Sequence, residues 1–208
     1  METNFIEVLE FISKNIETLS SNLVPLWHPL GFVSCVIKEV PSDCTIRLHY
    51  WPKGERRVKN PHWPIHTHSY KLNSLVLIGE VRDLQYGVIS GTGQSVYSVN
   101  YPKGGSELVK TADSVQIHTE IDEIKFSGEQ YQVPRDKFHQ TEVPIFKSAV
   151  TLVILTDHSS DAPKVLGSDI SEKYFYDRIP FDSTLFWNEV RKVLNCYLAK
   201  EVNTKLLT

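Results

Sequence analysis

Apolar residues recur every three or four positions at both ends of this chain, and about every second position between them. Near the N-terminus, Phe5, Val8, Leu9, Ile12 and Ile16 fall on one helical stripe. That spacing predicts an amphipathic helix over about residues 4–19, with Thr3 or Asn4 as its cap. Leu185, Phe186, Val190, Val193, Leu194 and Tyr197 repeat the pattern and predict a second helix over about 182–200, capped by Asp182 or Ser183. From about 33 to 156 the chain changes to short alternating or apolar runs, at 44–51, 63–70, 73–81, 84–89, 94–101, 113–118, 120–126, 129–133, 138–142 and 148–155. Turn residues separate them: Ser90-Gly91-Thr92-Gly93, Lys103-Gly104-Gly105, Ser127-Gly128 and Pro134-Arg135-Asp136. Many short strands with regular turns predict a mostly β fold, a sandwich or barrel flanked by helices. The polar stretch 157–181 reads as an exit loop leading to the last helix. No repeat or linker divides the chain, so residues 1–208 are expected to form a single domain.

Composition narrows the function classes. With 41% hydrophobic residues in 208, the chain can bury a sizeable core. A net charge of −3 excludes nucleic-acid binding through a generally basic surface. The longest apolar runs, Leu75–Ile78 and Ala149–Leu155, are too short to span a bilayer. Met1-Glu2-Thr3-Asn4 lacks the basic start and apolar run of a signal peptide, so a cytoplasmic location is expected. Cys35, Cys44 and Cys196 are three in number and lack CxxC spacing. A hairpin turning at Pro41-Ser42-Asp43 would set Cys44 opposite a residue near Val40, so Cys35 and Cys44 are read as reduced thiols.

The chemistry concentrates in histidine. His66 and His68 lie two residues apart, and on a strand such residues share a face. His139 joins them if its strand lies alongside, which makes three imidazoles for one metal ion. Arg47 and His49 alternate with Ile46 and Leu48 and share a face of their own. Alternation does not say whether that face points inward, to a substrate, or outward, to solvent. Tyr97, Tyr101 and Tyr131 are either cavity lining or ordinary packing. His62 is a rim residue, and His28, His118 and His158 receive no role.

These residues carry a resemblance to the cupin superfamily, whose members are β-barrels with two short motifs around a metal. In the first motif, His66, His68 and Gly79 match. The acid slot is filled by Leu72, or by Asn73 in a longer register, and the first glycine slot by Asn60. In the second motif, Gly128, Pro134 and His139 match, with Asp136 for the middle glycine and Val143 for the asparagine. Asp136 is a mild departure, because Asp tolerates left-handed geometry. Leu72 cannot ligate a metal. The resemblance therefore implies a cupin-type β-barrel (jelly roll) with about 33–156 as the barrel, and three histidines with open positions opposite.

A neutral three-histidine site is what the cysteine dioxygenase branch of the cupins uses. That branch implies Fe(II), O2 and a small-molecule substrate, with an arginine on an earlier strand for a substrate carboxylate. Arg47 matches that place, with Arg56 or Arg57 as substitutes, and His49 accompanies it. The Ser-x-His-x-Tyr run of that branch is represented only by Thr151, with Val153 and Leu155 in the other positions. That apolar wall argues against cysteine itself as substrate. The expectation is a non-haem Fe(II) oxygenase acting on a small carboxylate- or thiol-bearing molecule. Zinc, nickel, manganese and copper stay open as metals. A three-histidine hydrolase, isomerase or lyase and a ligand-binding cupin without turnover stay open as functions. No nucleic-acid or membrane partner is expected, and a homodimer is left open.

Overall fold

The computed structural model describes residues 4–40, 44–168 and 171–206. Two short helices stand where one was expected, α1 (Phe5–Lys14) and α2 (Ile16–Asn22). Asn4 caps the first, its Oδ1 accepting the Glu7 N–H at 3.3 Å. The break falls at Asn15, whose side-chain amide donates to the Phe11 carbonyl at 2.8 Å. An Asn that hydrogen-bonds local backbone in this way competes with the helix.

The strands are β1 (Leu26–Trp27), β2 (Val33–Val40), β3 (Cys44–Trp51), β4 (Lys71–Ile78), β5 (Glu80–Asn100), β6 (Gly105–Phe126), β7 (Gln130–Val133), β8 (Phe138–Glu142), β9 (Ala149–Thr156), β10 (Lys164–Gly167), β11 (Lys173–Asp177) and β12 (Ile179–Pro180). Helix α3 (Ser183–Leu206) follows, with the Asp182 carboxylate accepting the Leu185 N–H at 2.9 Å. The strands form two antiparallel sheets. One runs β12-β1-β2-β3-β9-β4-β7, and the other runs β10-β5-β6-β11 with β8 also on β5. The chain is mostly β with flanking helices, as its patterning predicts, but the two sheets are not closed into a barrel.

Strand parity distributes the core. Ile46, Leu48, Leu75, Leu152 and Ile154 of the seven-stranded sheet pack with Leu9 and Ile12 of α1 and Phe186, Trp187 and Val190 of α3. The opposite face carries Trp51, Leu72, Val76, Val153 and Leu155, which cluster with Tyr131 and Val133. Both faces of β9 are covered, and seven of its eight residues are buried. That accounts for the run Ala149–Leu155, apolar except for the buried Thr151, because a strand buried on both sides does not alternate.

Three expectations fail, each for a physical reason. The run 63–70 forms no regular strand. It contains Pro64, which cannot donate to a ladder, and only His66 makes bridge pairs. The expected turn Ser90–Gly93 does not separate two strands but sits in the long β5–β6 pair, where Ser90 and Gln94 both face Val115. The exit loop 157–181 instead contains β10, β11 and β12, and these short strands complete both sheets. The cysteine reading holds for register: Cys44 pairs with Val40, and all three cysteines are free. Burial pushes the Cys35 thiol up to about 12. Pro41-Ser42-Asp43 and Thr3 lie outside the described residues. Among the described residues no helix is long and apolar enough to cross a membrane.

Candidate metal centre

His66 and His68 sit on an extended segment held from both sides. The His66 N–H donates to the His139 carbonyl at 3.0 Å, and the His139 N–H returns a bond at 2.9 Å. On the other edge, the Thr67 N–H donates to Lys164 and the Leu166 N–H to Ile65, at 2.8 and 2.9 Å. The segment thus lies between β8 and β10. Thr67 faces away from the two histidines and is buried, its hydroxyl accepting the Lys164 N–H at 2.9 Å. Asp136, at φ 62°, donates its N–H to the His68 carbonyl at 3.1 Å. The departure from the second motif's glycine is therefore filled by a residue that holds the left-handed turn and anchors a ligand segment.

The three imidazoles converge, with one ring nitrogen from each of His66, His68 and His139 within 4.8 Å of the others. The Nε2 atoms of His68 and His139 are 2.9 Å apart. Two facing ring nitrogens at that distance require a proton or a cation between them. Ligands about 2.0–2.1 Å from one ion and at right angles to each other stand about 2.9 Å apart, so the spacing suits a shared metal. His66 Nδ1 lies 2.8 Å from the Pro64 carbonyl, which can only accept. The proton therefore sits on Nδ1 and leaves the Nε2 lone pair for a ligand. His139 Nδ1 is buried without a partner among the described residues.

Burial holds all three imidazoles below their ordinary pKa, and most strongly at His68 and His139, where the neighbouring histidines add to it. They are neutral at pH 7, as metal ligands must be. Leu72 is buried and lines the pocket with them. Asn73 points the other way, its amide donating to the Ile154 carbonyl at 3.1 Å and to the Thr156 hydroxyl at 3.2 Å. The acid slot is thus occupied by Leu72, and no Asp or Glu lines the pocket among the described residues. The donor set fits a cation that accepts three neutral nitrogens and keeps other positions open.

Arg47 and His49 of β3 face inward and line the same pocket as the three histidines. Arg47 donates to the Tyr70 hydroxyl at 3.5 Å, and its Nε is buried without a partner. His49 packs against Phe32 and Trp51 at ring separations of 4.8 and 6.0 Å. Burial, then the Arg47 charge, lowers its pKa to about 3. Arg56 is not available to a substrate, since its guanidinium donates to the carbonyls of Pro52, Val143, Pro144 and Lys147. Arg57 and His62 are exposed, and Glu142 pairs with Arg82 on the surface at 3.2 Å. Tyr131 lines the metal pocket and Tyr101 an adjoining cavity, whereas Tyr97 packs on Trp63 and Tyr174.

Three residues that sequence reasoning passed over also face this space. His28 stacks on Phe32 at 4.2 Å, and Tyr70 stacks on His68 at 4.7 Å with 14° between the planes. Arg178 lines the adjoining cavity. Tyr70 carried a usable signal, because it continues the two-residue spacing of His66 and His68. His28 and Arg178 carried none, since each sits beside a strand of two residues.

The buried imidazoles set a pH dependence. His49 has its pKa depressed from 6.5 to about 3 in the folded state, so between those values the unfolded chain binds more protons. Stability is full above about pH 6.5 and falls as pH drops toward 3, by a few kcal/mol from this residue alone. His49→Gln should flatten that slope in urea titrations at pH 7, 6 and 5. An unchanged slope would show that His49 does not carry it.

No protein-family profile and no curated protein matches the sequence. Comparison with solved structures finds hydroquinone 1,2-dioxygenase PnpCD, in complex with Cd2+ and 4-hydroxybenzonitrile, at 14% identity over 75% of this chain and 79% of that one, with a TM-score of 0.37. A cupin-2 domain of Rhodospirillum rubrum is similar at 9% identity over 84% and 80% of the two chains, with a TM-score of 0.31. Pac13, a nucleoside dehydratase, is similar at 10% identity over 75% and 87%, with a TM-score of 0.29.

Proposed function

We propose that this chain is a metal-dependent cupin enzyme, a non-haem Fe(II) oxygenase acting on a small anionic molecule. The observation that carries the reading is the convergence of His66, His68 and His139 with Leu72 in place of an acid. Three neutral donors would leave an Fe(II) ion with its full charge and with positions for two further reactants. When bound, iron supplies the redox chemistry that O2 activation needs. The chain supplies the rest. His66 is oriented through Pro64, and the apolar walls of Leu72, Val153 and Leu155 limit water. Arg47 offers a cation beside the cluster for an acidic group of the substrate, with His49 behind it.

A cavity of about 400 Å3 adjoins His66 and His68. That room favours turnover over a binding module whose site is plugged by its own side chains. Elemental analysis of untagged protein should find about one iron per chain, on the stoichiometry of one three-histidine site. The Fe(II) protein should also bind nitric oxide, an O2 surrogate, and give the paramagnetic resonance spectrum of an iron–nitrosyl centre. Stoichiometric zinc without a nitrosyl signal would replace the oxygenase reading with hydrolysis or lyase chemistry on the same ligands.

A further inference from the structure

The metal pocket opens into the larger cavity, and residues including His28, Arg47, His66, His68 and Tyr70 line both. Arg47 stands at their junction. Arg178, in the link between β11 and β12, lines the larger cavity, its own N–H anchored to the Gly104 carbonyl at 3.0 Å. Neither guanidinium has a carboxylate partner among the described residues. The acid beside Arg178 in sequence, Asp177, is taken by Lys59. Among the described residues no Asp or Glu lines the cavity, although the chain has 25 such residues and a net charge of −3. Burial lowers the pKa of Arg178, Tyr101 partly offsets this, and the Arg47 charge adds to the lowering. Two half-buried cations that face one space without an anion are costly to hold unless something else supplies the charge. Leu26, Val36, Leu108 and Trp63 also line this cavity and make part of its wall apolar.

We infer that the cavity takes a small organic acid whose anionic group lies between Arg47 and Arg178 and whose apolar body, about one aromatic ring in size, lies along Leu26, Val36, Leu108 and Trp63. Planar guanidinium forks match a carboxylate, so paired arginines select for charge and shape together. A neutral or cationic analogue of equal size would leave both guanidiniums unpaired. The inference rests on the metal reading only for which part of the acid reacts.

The test compares benzoate with benzamide, its uncharged near-isostere, by titration calorimetry on the protein as purified, with metal content measured on the same sample. Benzoate should bind at least about tenfold more tightly than benzamide, the least that one charge-assisted hydrogen bond contributes. Arg178→Gln should cut that preference to the part Arg47 supplies while leaving benzamide affinity unchanged. Arg178→Lys should keep part of it, and Arg57→Gln, on the exposed surface, should keep all of it. Equal affinity for the two probes, no benzoate binding, or an undiminished preference in Arg178→Gln would overturn the inference. In the unsubstituted protein, absence of benzoate selectivity at full metal content counts against the arginine pair alone, whereas selectivity without metal counts against the metal reading alone.

Discussion

His139→Ala should yield a folded protein that no longer holds stoichiometric metal. His139 is 3% exposed and contributes one of the three converging donors found among the described residues, so its loss leaves two. Removing groups that merely orient a ligand costs 10–100-fold in affinity, so removing the ligand should cost more than about 100-fold. The fold should survive. The bonds that join His139 to His66 are made by backbone and persist with alanine. The imidazole's Nδ1 has no partner to lose. Truncation to Ala at a buried site of this size costs roughly 2 kcal/mol. Elemental analysis beside a thermal melt checks both halves, and full metal occupancy in the variant would defeat the three-histidine assignment.

The second large effect is on stability. Gly79 ends the first motif at φ +79°, and a Cβ placed there would lie 2.2 Å from the Ser148 carbonyl oxygen and 3.0 Å from the Ala149 Cα. Both obstacles are backbone at the start of β9, which lies between β3 and β4 and cannot step aside. Gly79→Ala should therefore lose on the order of 4 kcal/mol, combining left-handed strain with a steric shift. Gly128 is the control, because it has φ +94° but nothing within 4 Å of a Cβ. Gly128→Ala should lose only about 1–2 kcal/mol, the conformational term alone. Urea unfolding of the two variants separates the effects, and equal losses would show that the Ser148 contact does not matter.

The site was more legible in the sequence than its scaffold. The two-residue spacing of His66 and His68 turns both to one side, and the pairing of His66 with His139 brings in the third imidazole. Leu72 faces them by simple strand parity, and Asp136 takes the left-handed turn that its chemistry permits. Alternation alone could not orient Arg47 and His49. Their direction depends on the helices covering the other face of β3, and that contact joins residues from both ends of the chain. The strands within 157–181 were hidden for a related reason. β10, β11 and β12 are only two to five residues long, so they are stabilised by the edges they complete and not by local propensity. Arg178 was lost with them. Tertiary placement also overrode the strand-like pattern of 63–70, where bonding from two neighbours substitutes for a regular ladder.

The double hold on residues 65–67 has a consequence for how the chain is made. One neighbour, β8, and the other, β10, are both synthesised well after His66 and His68. A nascent chain that has emerged only as far as β8 carries all three histidines but leaves Ile65 and Thr67 without the Lys164–Gly167 strand that seats them. About a hundred residues must be enclosed before that seat exists, which places it among the late, non-local events of folding. On the proposed function, metal capture would then follow emergence of the Lys164–Gly167 strand from the ribosome, and a chain truncated before Lys164 would carry the histidines without the means to aim them.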